Sequence, residues 1–152
     1  MKVLFVCTGN TCRSCMAEAI FNNLCDLQDV KAFSAGLSAI QGSKTSLYSA
    51  SLIKDKLGMD IDTRQAVQLT SEMLQDSQLV LTMTSAMSRS LLSGFPEMKG
   101  KIFSLNNYVG IQDNVLDPYG GDLAIYLKTY ENLKYSIILL LQKIKEDKST
   151  EK

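Results

Sequence analysis

The stretch FVCTGNTCRSCMAEAIF, Phe5 to Phe21, runs from an apolar segment through a Gly-Asn pair into a helix-like pattern. It also holds three of the chain's four cysteines. KVLFVC (Lys2–Cys7) is continuously apolar after Lys2 and stops at Gly9-Asn10, the pattern of a strand buried on both faces. Met16, Ala19, Ile20 and Leu24 then recur at helical spacing, with Ser14 near the start and Glu18 inside. A buried strand feeding directly into a helix is the opening half of a β-α-β unit, and the rest of the chain repeats the alternation.

VKAFSAG reads as a second strand closed by Gly36, and TSLYSASLIKDKLG as a helix stopped at Gly58. TSEML (Thr70–Leu74) resembles a capping box before a short helix. QLVLTM (Gln78–Met83) is a third strand, SAMSRSLLSGF a helix failing at Gly94 and Pro96, and KIFSL (Lys101–Leu105) a fourth strand. LDPYGGD (Leu116–Asp122) is turn chemistry. Beyond it Leu123, Tyr126, Leu127, Tyr130, Leu133, Ile137, Leu140, Leu141 and Ile144 step by three and four along one long closing helix. The expected fold is a three-layer α/β domain, with parallel strands and helices on both faces. It occupies residues 1–146, followed by a charged tail over 147–152. Ligands belong at the carboxyl ends of such strands, where Cys7 falls.

The 152 residues are enough for one domain with a real core. Sixteen basic and sixteen acidic residues cancel, so bulk charge points to no nucleic-acid or membrane partner. The longest apolar run, IILLL at Ile137–Leu141, is far shorter than a bilayer span, and no signal-like leader precedes the first strand. The expected location is cytoplasmic; nothing in the pattern specifies an oligomeric state. Histidine is absent, which removes Cys-His and Ser-His-Asp chemistry: a nucleophile here needs another means of activation.

Three readings compete for the cysteine cluster. Cys7, Cys12 and Cys15 have the C-x4-C-x2-C spacing of an iron–sulfur loop, but the fourth ligand is then Cys25. Ten helical residues place it about 15 Å along the axis from Cys15, too far to close a compact site. Cys12 and Cys15 also form a C-x-x-C pair at a helix start, without the surrounding glycine and proline of a disulfide exchanger. The third reading uses every residue: CTGNTCRS is a thiol, five residues, an arginine and a hydroxyl between strand and helix. A loop of that length can wrap its N–H groups around a tetrahedral oxyanion. Gly9 and Asn10 tolerate left-handed angles, and Arg13 can hold two phosphate oxygens through its planar fork. The same positive field stabilises the thiolate form of Cys7, which answers the missing histidine. Ser14 can donate its hydroxyl to that sulfur and help it leave.

VCTGNTCRSCMAEAIF resembles the signature of the low-molecular-weight protein tyrosine phosphatases, V-C-x-G-N-x-C-R-S-P-x-A-E, and the likeness extends through FSAG, LVLTM and LDPYGGD. The resemblance implies a Rossmann-like fold of the phosphotyrosine protein phosphatase I type, with four parallel strands. It implies Cys7 as nucleophile, Arg13 as transition-state clamp and Asp117 as general acid. Thr8, Gly9, Asn10, Thr11, Cys12 and Ser14 are then the phosphate loop, and Tyr119 is a substrate wall. No metal or other cofactor is called for, since Arg13 and the helix start supply the positive field; the partners are phosphorylated proteins. The expected chemistry is attack of Cys7 on phosphorus, protonation of the leaving group by Asp117, and hydrolysis of the phosphocysteine.

Two details bear on the substrate. Thr11 resembles the protein-arginine phosphatase branch, where tyrosine-specific members often carry a larger aliphatic residue, and Gly120 stands where those members often carry a second aromatic. Phosphoarginine is the favoured substrate, phosphotyrosine the alternative. Arsenate reduction on the same loop needs relay cysteines downstream, and none follows Cys25. A catalytically silent phosphate-binding module would need neither Cys7 nor Asp117. One departure stands out: the family proline after C-R-S is Cys15 here. The family also implies a protective Cys7–Cys12 disulfide, to which Cys12–Cys15 and Cys7–Cys15 are rivals. The family's loop-supporting histidine is missing as well, leaving Asn10, Ser14 and Ser34 to hold the loop.

Overall fold

A computed structural model describes residues 1–150. In chain order it runs β1 (Lys2–Cys7), α1 (Arg13–Leu24), β2 (Lys31–Gly36), α2 (Leu47–Leu57), α3 (Ser71–Asp76) and β3 (Leu79–Thr82). Then come α4 (Ser85–Gly94), a 3-10 turn at Pro96–Met98, β4 (Ile102–Ser104), the one-turn α5 (Leu105–Tyr108) and α6 (Leu123–Thr150). The strands form one parallel sheet in the order β2-β1-β3-β4.

Strand alternation sorts the core into two layers. Val3, Phe5 and Cys7 face α1 and α6, packing with Met16, Ile20, Tyr130, Leu133 and Ile137. Leu4 and Val6 face the other way, toward Leu74, Leu91 and Met98. Phe5 meets Phe21 edge-on, ring centres 5.9 Å apart, a favoured geometry for an aromatic pair. The four-stranded parallel sheet with helices on both faces is the expected architecture. Because β1 is central, the chain leaves it for β2 on one side and returns for β3 on the other. Its carboxyl end is therefore the crevice where doubly wound sheets bind ligands.

Besides shifts of a residue at some strand ends, three larger differences from the sequence-based expectation appear. At α3, Thr70 is the cap, accepting from Met73 N at 3.2 Å, so the third helical position is Met73 rather than an acid. That is a single cap bond, not a capping box. The turn α5 carries no periodicity; it is held by Asn106, which donates to Asp113 O at 2.6 Å and accepts from Ser136 Oγ at 2.7 Å. Finally, α6 continues past Ile144 to Thr150, where Lys145 pairs with Asp26 at 2.9 Å and Lys148 with Asp29 at 2.7 Å. The first four residues of the expected tail are thus helical, and residues 151–152 lie outside the described residues. No helix among the described residues is long and apolar enough to cross a membrane.

Candidate active site

Cys7 is the last residue of β1, and its sulfur is buried. The loop 8–12 leaves it, turns through Asn10 at φ 59°, and runs straight into α1. Asparagine is among the few residues that hold this left-handed angle, at a cost of about 1 kcal/mol. Gly9 is the other candidate for such an angle, but its φ is not positive, and a Cβ there would meet only Thr11 Oγ1, at 3.8 Å. The glycine the loop requires is Gly36, at the end of β2. A Cβ on it would lie 2.7 Å from Thr8 O and 3.1 Å from Asn10 N, closer than packing allows.

The Asn10 side chain uses all four of its hydrogen-bonding valences. Its Nδ2 donates to Ser14 Oγ (2.7 Å) and Ser34 Oγ (3.0 Å), while its Oδ1 accepts from Arg64 Nη1 (3.0 Å) and Val67 N (2.9 Å). Since Ser14 Oγ accepts from Asn10, its own proton is free for Cys7 Sγ, 2.9 Å away. Asn10 N donates to the same sulfur at 3.2 Å. Two donors converge on the Cys7 sulfur, both set by Asn10.

Arg13, the first residue of α1, is buried and donates to Val115 O at 3.2 Å. Its other terminal nitrogen lies 3.6 Å from Asp117 Oδ2. Val115 N in turn donates to Met83 O at 3.0 Å, tying this segment to the end of β3. Asp117 is more exposed, and its Oδ1 accepts from Tyr119 N at 3.1 Å, an Asx turn closed by Gly120 at φ 79°. Cys7, Thr8, Gly9, Thr11, Cys12, Arg13, Asp117 and Tyr119 all line one open cavity of about 380 Å³. Asn10 and Ser14 lie behind it, fully buried.

Cys12 Sγ donates to Ser46 Oγ at 3.3 Å and lies 3.5 Å from Tyr126 OH. Burial, and then the Cys12 contact, push the Tyr126 phenol up to about 12, so it is protonated at neutral pH. Cys15, one α-helical turn further on, is buried with its thiol donating to Cys12 O at 3.2 Å, and burial drives its ionisation far upward. A buried, protonated thiol is a poor partner for oxidation. Cys25 caps the far end of α1, its thiol turned to Leu27 O and Val30 O. All four cysteines are free.

The sequence reading missed several residues around the site. Arg64 and Glu18 brace the loop from behind, Ser46 and Tyr126 flank Cys12, and Ser38, Ile40 and Ser43 complete the cavity lining. Arg64 sits in a loop with no periodicity to signal it. Of the three most exposed large apolar side chains among the described residues, Tyr119 (84%), Leu47 (81%) and Ile40 (74%), Tyr119 and Ile40 line the cavity. Leu47 follows Ser46, whose N–H and hydroxyl both bond the loop.

Residues 2–150 match the low molecular weight phosphotyrosine protein phosphatase family. A protein-arginine-phosphatase of Geobacillus stearothermophilus is 37% identical over 147 residues, covering 96% of this chain and 97% of that protein. A low molecular weight protein tyrosine phosphatase from T. tengcongensis superposes with a TM-score of 0.89 at 44% identity, covering 94% of this chain and 99% of the other. A mutant of the YwlE arginine phosphatase with a phosphorylated active-site serine superposes at 0.90, at 34% identity, covering 97% of each chain.

Proposed function

The chain belongs to the low molecular weight phosphotyrosine protein phosphatase family, and from that premise and the site's geometry we propose that it dephosphorylates proteins through a phosphocysteine on Cys7, with phosphoarginine as its substrate. The observation that carries the reading is the convergence of Cys7, Arg13 and Asp117 on one cavity, with Arg13 within 3.6 Å of the Asp117 carboxylate. The phosphoryl group sits in the loop 8–13, its equatorial oxygens held by backbone N–H groups and the Arg13 fork. Cys7 attacks phosphorus in line with the departing group, and Asp117 gives that group a proton. Ser14 and the Asn10 N–H then stabilise the leaving thiolate, while Asp117 deprotonates the water that releases phosphate.

Phosphoarginine is favoured by the likeness to the protein-arginine-phosphatase, by Thr11 in the cavity lining and by Gly120, which leaves one side of the mouth without a second ring. The second reading is phosphotyrosine, favoured by the 44%-identical tyrosine phosphatase and by Tyr119 as a wall for a phenol. Matched phosphoarginine and phosphotyrosine peptides decide between them: higher kcat/KM on phosphoarginine supports the proposal, the reverse order the alternative. In the same assay Thr11→Ile is expected to lower the phosphoarginine to phosphotyrosine ratio roughly tenfold, the size of a methylene-scale pocket effect. An unchanged ratio removes Thr11 as the selector.

A further inference from the structure

Arg64 lies outside the cavity lining, yet it bonds more of the loop's support than any residue within it. Its Nη1 donates to Asn10 Oδ1 at 3.0 Å and reaches Asn10 O at 3.5 Å. Its Nη2 donates to Ser34 Oγ at 2.7 Å and reaches Ser34 O at 3.5 Å and Glu18 Oε1 at 3.4 Å. Ser34 Oγ completes the ring by donating to Glu18 Oε1 at 2.8 Å. One guanidinium thus joins the phosphate loop, β2 and α1, and both it and Glu18 are largely buried.

We propose that Arg64 is the positioning residue of this site, holding Asn10 in its left-handed turn and thereby fixing the two donors on the Cys7 sulfur. The proposal rests on the phosphatase reading above and adds a residue to it. Asn10 is the only residue other than glycine with positive φ among the described residues, and its side chain is oriented by where its oxygen finds donors. Those donors are Arg64 Nη1 and Val67 N, three residues apart on one segment. With Arg64 gone, the Asn10 amide loses one of its two oxygen-side anchors and Ser34 one of its donors. The amide is then free to leave Ser14, and the Ser14 proton loses its aim at the sulfur.

The fork matters more than the charge. Glu18 already compensates the guanidinium, and a lysine ammonium is a point donor that cannot span Asn10 and Ser34 together.

The test uses Arg64→Lys, Arg64→Met and Arg64→Ala in the full chain. A chromogenic phosphate ester gives kcat and KM, and phosphate protection of Cys7 against iodoacetamide gives anion binding independently of turnover. The expected result is a fall in kcat of about 100-fold for both Met and Lys variants, with a smaller change in phosphate protection and melting temperature. Added guanidinium ion should restore part of the Arg64→Ala rate, and methylammonium should not. Wild-type kcat in a folded Arg64→Met, or full rescue by Arg64→Lys, overturns the proposal. So does a loss that merely tracks stability and that guanidinium leaves unchanged. If the wild-type chain turned over no phosphate ester at all, the phosphatase reading would fail instead. The Arg64 proposal would then stand or fall on whether its variants change the rate and phosphate protection of Cys7 alkylation.

Discussion

Cys7→Ser is expected to lower turnover of any phosphate ester by on the order of 10⁶-fold, the scale seen when a hydrolase loses its nucleophile while its neighbours remain. Serine keeps the shape and the hydrogen bonds from Ser14 and Asn10, but its hydroxyl must lose a proton before it attacks. The chain has no histidine to take that proton, and the two groups on the sulfur both act as donors toward it. The donors that suit a thiolate therefore do nothing to activate an alcohol. A phosphoryl group that does reach the substituted hydroxyl also leaves poorly, because an alkoxide is a far worse leaving group than a thiolate. The expected readout is slow, stoichiometric labelling of the protein without multiple turnovers, followed by intact mass. Multiple turnover at the wild-type rate would rule out Cys7 as the nucleophile.

Asp117→Asn carries the second largest effect, about 10²- to 10⁴-fold for substrates whose leaving group must be protonated. Asparagine preserves the Asx turn to Tyr119 N, since its side-chain oxygen can accept the same bond. It removes only the proton and the charge facing Arg13. An activated nitrophenyl ester, whose leaving group departs as a stable anion, should lose much less than an alkyl or phenyl ester. Plotting the loss against leaving-group basicity separates the two roles. A uniform loss across the series would mean that Asp117 shapes the turn without acting as an acid.

Much of this architecture is legible in the residues because local signals and global fold agree. The apolar run of β1, the Gly58 stop of α2, whose φ is 68°, and the three-four stepping of α6 each specify their element from within. The loop after β1 is legible for a similar reason: strand, five residues, arginine, hydroxyl and helix lie in unbroken succession. What escapes the sequence is whatever depends on a partner far along the chain. The last turn of α6 is helical where Lys148 meets Asp29, more than a hundred residues earlier. Arg64 reaches Asn10 across 54 positions, and Tyr126 reaches Cys12 across 114. Gly9 attracts notice as a loop glycine, whereas the sterically obligatory Gly36 hides at the end of an ordinary strand. Cys15 misleads most, since its spacing imitates a metal motif while its thiol is buried in the helix start.

The exposed apolar side chains around the cavity have a calorimetric consequence. On the proposed reading inorganic phosphate touches the loop and Arg13 alone, so its binding should leave the heat capacity nearly unchanged. A phosphonate peptide that covers Ile40 and Tyr119 takes that apolar surface out of water, and removal of apolar surface lowers heat capacity. Titrations at several temperatures should therefore give an enthalpy that falls with temperature for the peptide and stays flat for the ion. Equal slopes for the two ligands would mean that the peptide leaves the mouth wet and is held by its phosphoryl group alone.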